Sequence, residues 1–507
     1  MNKWYLQKLS TEQIISFIYK RKDHFWSWVR EERALQTFQL ASQRVPAYRD
    51  FLKKNKIQSG KIKNFRDFQL VPPVNKNNYL RRYPLEMLCL DGSLKRPLVF
   101  TATSGSTGEP FYFPRWSQLD WEAAVAHLLF LKQNFQKSKG PILVIDCFGM
   151  GIWIGGLITY KAFEILSRWG NYPISILTPG INKIEIFNAL RRLGPSFEQV
   201  ILAGYPPFLK DVVDEAIDQG IDLKKLNLRF LFAAEPFTEK FRDYVTKKAH
   251  VKSPYLDTLN IYGTADIGAM AYETPVSILV RRQALQSTKV FQEIFSHIKK
   301  TPTLAQYNPL FITFEALDGD ILLTGNNAIP LVRYSVGDHG GVFSFSELAD
   351  QLKNFNIDVE RKAHQARIPI YELPFVYVYE RNDFSTTLYG LQIYPETIRE
   401  ALLDHAVSRF FTGKFTILTK FNRRQNQYLE INLELRKKKE VSMKTQRLIL
   451  KKIVSHLRAN NSEYRELSSF LGERAEPHLV FWPAEHSLYF KPGVKQTWVQ
   501  KSNTIVS

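Results

Sequence analysis

Ser10 and Gln13 have the Ser-x-x-Gln spacing of a capping box, and Ile14, Phe17 and Ile18 follow at helical intervals, which predicts a helix starting near Thr11. Between residues 97 and 338 short apolar runs alternate with helix-length segments; the runs lie at 98–103, 142–148, 174–178, 199–203, 229–233 and 258–262. Strands separated in this way imply a largely parallel α/β sheet, with ligands bound at loops beyond the carboxyl ends of the strands. Past residue 378 the pattern changes. Residues 375–379 read as a strand, 395–406 as a helix with Pro395 near its first turn, and 414–420 as a strand. The segment 428–435 places Leu429, Ile431, Leu433 and Leu435 on one face, 441–457 is helix-like, and 478–482 is a last strand. This β-α-β-β-α-β order predicts a small α+β, ferredoxin-like C-terminal domain at 379–507 after a large multi-layer α/β domain at 1–378.

A chain of 507 residues exceeds what one hydrophobic core usually supports, which agrees with two domains. Its 44% apolar content is enough to fill such cores and excludes wholesale disorder. Two cysteines, Cys89 and Cys147, exclude a disulfide framework and a multi-thiolate zinc site, and point to a reducing cytoplasm. Residues 1–26 lack the uninterrupted apolar core of a signal peptide. The most apolar stretch, 142–159, carries Asp146, Gly149, Gly151, Gly155 and Gly156, so no transmembrane segment is expected. The net charge of +20 raises the concentration of polyanions at the surface, yet it does not choose among ATP, CoA, a nucleic acid and an anionic membrane.

Candidate chemistry begins directly after the run at 98–103. In Thr103-Ser104-Gly105-Ser106-Thr107-Gly108-Glu109-Pro110 two glycines let the backbone approach phosphate oxygens, while hydroxyls and amides donate to them. It is not a Gly-x-x-x-x-Gly-Lys loop, because no basic residue stands at the required place. The segment resembles the Ser/Thr-rich phosphate loop of the adenylate-forming superfamily, and further segments resemble, in order, those of the phenylacetate-CoA ligase family and its capsule-biosynthesis relatives. Val45-Pro46-Ala47-Tyr48-Arg49 and Leu70-Val71-Pro72-Pro73-Val74-Asn75-Lys76 resemble the N-terminal segments of that family. Ala234-Glu235-Pro236 resembles its adenine-binding turn, and Tyr262-Gly263-Thr264-Ala265-Asp266 its Tyr-Gly-x-Thr-Glu motif. The resemblance implies that Tyr262 packs on adenine and that Asp266 helps to hold Mg2+; a flat aromatic suits a purine, and a carboxylate suits a hard cation. Asp266 is one methylene shorter than the usual Glu, and Ala265 lacks the usual hydroxyl.

Arg333-Tyr334-Ser335-Val336-Gly337-Asp338 resembles the Arg-Tyr-Arg-x-x-Asp segment, which implies that Asp338 accepts from both ribose hydroxyls, with Ser335 in place of the second Arg. Glu380-Arg381-Asn382-Asp383, followed by Gly390 and Pro395, has the spacing of the interdomain hinge segment. That match implies a nucleotide contact for Arg381 and a pivot at Asp383, with Glu380 where Gly is usual. Gly493-Val494-Lys495 resembles the segment that supplies the catalytic lysine, so Lys495, with Lys491 as second choice, would neutralise charge on the α-phosphate. Phe148 and Trp153 fall in the region that borders the family's acyl pocket.

The resemblance therefore implies an adenylate-forming fold and an activity: ATP and Mg2+ convert a small-molecule carboxylic acid to an acyl-adenylate, and CoA or the phosphopantetheine thiol of a carrier protein accepts the acyl group. The sequence does not identify the acid and leaves a homodimer open. Three other readings compete. Gly149-x-Gly151-x-x-x-Gly155 resembles a dinucleotide fingerprint, but its third Gly comes one position late and no acidic residue follows at the required distance. A basic chain with a ferredoxin-like module could bind RNA, yet 428–435 lacks the aromatic pattern that stacks bases, so no nucleic acid is expected. Phe111, where many superfamily members have Lys, together with Ala265 and Ser335, is compatible with a degenerate member that binds nucleotide without turnover.

Overall fold

The computed structural model describes residues 6–102, 111–135, 140–170, 172–295, 301–379, 386–437, 439–486, 488–490 and 499. The expected capping box closes on the helix Thr11–Lys20, with Gln13 N donating to Ser10 Oγ at 3.2 Å and Ser10 N to Gln13 Oε1 at 2.8 Å. An 11-stranded sheet forms the centre of the large domain. Across it run Ile312–Leu317, Asp320–Gly325, Leu331–Phe343, Phe375–Tyr379, Thr303–Gln306, Gly268–Tyr272, Thr258–Thr264, Leu228–Ala233, Gln199–Gly204, Ile142–Asp146 and Ile174–Leu177.

From Ile174–Leu177 to Thr258–Thr264 neighbouring strands are parallel. Every pairing beyond is antiparallel. The expectation of a largely parallel sheet thus fails past Thr264, because the next strand starts at Gly268, too soon for the crossover that a parallel neighbour requires. In the parallel half all of Ile142–Asp146 is buried. Ile142 and Val144 share a core with Leu128, Ala162 and Phe163 from the helices Ser117–Phe135 and Ile154–Trp169. Leu143 and Ile145 join the opposite core with Ile186, Val212 and Phe241 from the helices Lys183–Arg192, Pro206–Asp218 and Glu239–Lys248. A strand covered on both faces reads as one apolar run, which is the pattern seen in the sequence.

Two strand assignments change. The run at 98–103 does not enter the large sheet; Val99–Ala102 pairs with Tyr112–Arg115 in a separate hairpin, which leaves Val99 and Phe100 exposed. Phe375–Tyr379 does not open the small domain but lies inside the large sheet, between Leu331–Phe343 and Thr303–Gln306, and is buried throughout. Among the described residues the C-terminal sheet consequently has three strands, Phe411–Phe421, Gln427–Leu435 and His478–Trp482, rather than four, with Val499 bridged to Ile417 beside them. Helices Pro395–Leu402, Met443–Asn460 and Ser462–Leu471 and the hairpin Thr386–Leu388 with Leu391–Ile393 complete it. The helix expected over 395–406 ends early, because Asp404 caps a new short helix, His405–Ser408. Leu429, Ile431 and Leu433 are buried as expected, and so are Glu430, Asn432 and Glu434 on the other face, where Trp482 Nε1 donates to Asn432 Oδ1 at 2.6 Å. The chain is an α/β protein with a large N-terminal domain and a small C-terminal α+β domain.

The small domain docks on the helix Pro206–Asp218. Tyr389 Oη donates to Asp211 Oδ2 at 2.9 Å, and Arg474 pairs with Asp211 at 2.6 Å and with Glu215 at 2.8 Å. Tyr389 and Gly390 both have positive φ, 48° and 86°, the combination of a tight two-residue hairpin turn. Among the described residues, no helix is long and apolar enough to cross a membrane.

Candidate active site

The segment 70–76 is laid along the strand Leu331–Phe343 by backbone pairing: Val74 N donates to Arg333 O at 3.1 Å and Ser335 N to Val74 O at 2.8 Å. Arg333 locks this arrangement, since its buried guanidinium donates to the carbonyls of Gln69 and Val71 and pairs with Glu315 at 3.3 Å. Asn75 and Lys76 are thereby delivered to a cavity of about 650 Å³. There Lys76 Nζ lies 3.3 Å from Asp266 Oδ1, and Tyr334 Oη donates to Asp266 Oδ2 at 2.5 Å.

The same cavity is lined by Phe148, Trp153, Ala234, Glu235, Pro236, Tyr262, Gly263, Asp266 and Asp338. These are all the sequence-assigned site residues that fall within the described part of the chain. Ser104, Gly105, Ser106, Thr107, Gly108, Arg381, Asp383, Lys491 and Lys495 lie outside it. Ala102 and Phe111, the described neighbours of the 103–110 segment, both face the cavity. Tyr262 Oη donates to Asp338 Oδ2 at 2.5 Å, so the two side chains assigned to adenine and ribose are held in one unit although they come from different strands.

Ala234 turns the chain after Leu228–Ala233 with φ of 73°, a conformation that costs a non-glycine residue about 1 kcal/mol or more. Asn260 Nδ2 supports the turn by donating to Glu235 O at 3.2 Å. The Glu235 carboxylate points across the domain boundary, accepting from the backbone N–H of Gly390 and from Gln427 Nε2 at 3.0 Å. That role was not foreseen for this residue.

Phe148 is fully buried and meets the Tyr205 ring edge-to-face at 5.1 Å. Trp153 immediately precedes the helix Ile154–Trp169. A Cβ at Gly155 would lie 3.3 Å from Phe148, one at Gly149 3.1 Å from Trp153, and one at Gly156 2.7 Å from the carbonyl of Gly149. These glycines make room for aromatic rings and a tight helix start, a packing role that accounts for the fingerprint-like spacing without a dinucleotide. Behind them burial pushes Asp146 well above the usual carboxylate range, and its Oδ1 accepts from Phe148 N at 3.1 Å.

The residues present do not fit a protein-held magnesium ion at Asp266. Both of its oxygens are engaged, one by Tyr334 and the other by the ammonium of Lys76, and the side chain is 2% exposed. Among the described residues no group of three His, Cys, Asp or Glu side chains could hold a metal. Lys76 and Tyr334 belong to recognisable segments that assign them no task, and Tyr205 and Glu463 carry no motif, yet all four line the cavity.

The architecture is that of the AMP-forming acyl-CoA ligases, the adenylate-forming fold. In particular, the chain superposes on 2-hydroxyisobutyryl-CoA ligase in complex with 2-HIB-AMP and CoA in the thioesterification state, with a TM-score of 0.61 and 15% identity over 96% of this chain and 91% of that one. Against the same ligase in the postadenylation state with R3-HIB-AMP the score is 0.51 at 14% identity, over 96% and 91% of the two chains. Against its open conformation with 2-HIB-AMP and CoA the score is 0.50 at 16% identity, over 94% and 91%. No family model and no curated protein matches the sequence.

Proposed function

We propose that this chain is an AMP-forming acid–thiol ligase of the phenylacetate-CoA ligase type. It joins a carboxylic acid to ATP, giving an acyl-adenylate and pyrophosphate, and then passes the acyl group to CoA or to a carrier phosphopantetheine thiol. The observation that carries this reading is convergence: Lys76, the 234–236 turn, Tyr262, Asp266 and Asp338, far apart in sequence, surround one cavity within the acyl-CoA ligase fold.

In this reading Tyr262 and the 234–236 turn flank adenine, and Asp338, steadied by Tyr262, accepts from the ribose diol. Ser104 to Gly108 hydrogen-bond the phosphates. Lys76 supplies positive charge from the large domain, and Lys495, or failing it Lys491, does so from the small domain while pyrophosphate departs. Arg381 contacts the nucleotide, Asp383 is the pivot, and the two domains divide after Tyr379 and not at the expected 378/379, because Tyr379 still pairs with His339 in the large sheet. Phe148 and Trp153 line the acyl end. The higher score against the thioesterification state supports reading the present domain arrangement as the one that serves acyl transfer.

The test is carboxylate-dependent ATP–pyrophosphate exchange across a panel of aryl, fatty and amino acids, with and without CoA. Exchange with one or more acids, reduced about 100-fold by Asp338→Ala or Lys76→Met at an unchanged melting temperature, is the expected result. Tight nucleotide binding without exchange for any acid would refute turnover.

A further inference from the structure

The small domain supplies one wall of the cavity through Thr387, Gly390, Gln392, Tyr394 and Glu463. Glu463 is the charged member of that set and reaches the cavity from the first turn of the helix Ser462–Leu471. The helix start is fixed in place: Asn461 caps it by accepting from Tyr464 N at 2.9 Å, and Asn461 Nδ2 donates to Gln392 O at 3.1 Å. The other carboxylates around the cavity are engaged, Asp266 by Lys76 and Tyr334, Asp338 by Tyr262, and Glu235 by Gly390 and Gln427. Among the described residues none donates a hydrogen bond to Glu463 or pairs with it.

A carboxylate directed into a cavity and left without a partner is costly unless a ligand uses it. Its neighbours place it at the acyl end. Glu463 acts electrostatically on Tyr205, whose ring packs on Phe148, and Asp146 acts on the same phenol from the large domain. On its own helix the facing group is Glu466.

We propose that Glu463 accepts the proton of the attacking thiol in the transfer half-reaction. This rests on the ligase reading and adds to it a base that only the small domain delivers. The thiol sulfur attacks the acyl carbonyl carbon, forming the S–C bond. The bond from that carbon to the phosphate oxygen breaks, and AMP leaves with the electron pair. The thiol proton passes to the Glu463 carboxylate and from there to water. No oxidant or further reactant is needed. Burial, reinforced by Glu466, pushes Glu463 up to about 7, close to where a base is both deprotonated and able to hold a proton. An ordinary thiol titrates near about 8.5, so such a base matches its acceptor far better than an unperturbed glutamate does.

The experiment uses the full chain with an acid that supports exchange, CoA as the thiol, and Glu463→Gln. Thioester formation relative to pyrophosphate exchange is expected to fall about 100-fold or more, and the acid limb of the transfer rate near neutral pH to disappear. Glu463→Asp should restore part of the transfer, and Glu466→Gln should move the acid limb to lower pH, since one neighbouring negative charge is gone. Transfer by Glu463→Gln at the wild-type ratio, with the same pH limb, overturns the proposal while leaving the ligase reading intact. Absence of exchange in the wild-type protein with every acid removes the ligase reading and this proposal with it. A Glu463→Gln protein that melts as wild type yet loses exchange and transfer in equal proportion also overturns the proposal, because a transfer base does not act in adenylation.

Discussion

Replacing Gly390 by Ala tests how the small domain is seated. Gly390 has φ of 86°, where a side chain costs about 1–2 kcal/mol, and that penalty applies to the hairpin wherever the domain sits. A second penalty arises only against the large domain. The new Cβ would lie 2.5 Å from Cδ1, 2.7 Å from Cε1 and 3.1 Å from Cγ of Tyr205, whereas carbon atoms rest at about 3.5–4.0 Å. Tyr205 cannot simply swing away, since its ring meets Phe148 and its backbone leads directly into the Pro206–Asp218 helix. The hairpin must therefore retreat by roughly 1 Å, an overpacking cost of about 1–3 kcal/mol, which corresponds to about a 5- to 150-fold change in the docking equilibrium. Retreat also stretches the Gly390 N–H bond to Glu235 and the Tyr389–Asp211 contact. Hydrogen exchange of the Pro206–Asp218 amides, followed in wild type and variant, reads this directly: protection should drop on that helix while the Ile142–Asp146 strand keeps its own. Equal protection of the helix in both proteins, together with equal thioester formation, would show that the Gly390–Tyr205 approach does not govern docking.

Two predictions concern stability. Glu273 is fully buried between Arg242, at 2.8 Å, and Arg281, at 3.1 Å, so Glu273→Gln leaves two buried guanidiniums under-compensated and should cost about 3–5 kcal/mol in urea unfolding; an unchanged midpoint would contradict this. His127 is buried with Nδ1 donating to Ala123 O at 2.8 Å, and burial pushes its pKa down to about 4. Because the unfolded chain then binds the proton first, at about 6.5, stability should fall as pH drops from about 6.5 to 4, by on the order of 3 kcal/mol, and His127→Leu should flatten that slope in melting curves at pH 7 and pH 4.5.

The chain order of elements was readable where physics is local. The Ser10 box depends on neighbours three residues apart, and the parallel strands announce themselves as apolar runs separated by helices. Phe375–Tyr379 was placed in the wrong sheet because its apolar run states that it is buried but not beside what; its partners, Thr303–Gln306 and Leu331–Phe343, lie far upstream. The site shows the same division. Tyr262 and Asp338 were marked by their motifs, but the bond between them is a tertiary fact. Lys76 could be quoted without a role because its partner, Asp266, stands on the far side of the sequence. Glu463 carries no local mark at all: it is an acidic residue in the first turn of a helix, the commonest place for one, and only burial against another domain changes its chemistry.

The interface that creates this burial contains both charge and shape, and their magnitudes differ. Arg474, 38% exposed, reaches a third-exposed Glu215, a contact that solvent screens to about 0–1 kcal/mol, and Asp211, whose carboxylate is 2% exposed and needs its partner. Glu235 is 5% exposed and accepts from two donors of the small domain, each charged hydrogen bond contributing about 1.5–3 kcal/mol. The apolar core that includes Val212 and Phe241 continues without a break into Leu388, Ile393, Ile417 and Leu433 of the small domain. Docking thus combines the buried hydrogen bonds of Glu235, the shared apolar core and the ion pair of Arg474 with buried Asp211.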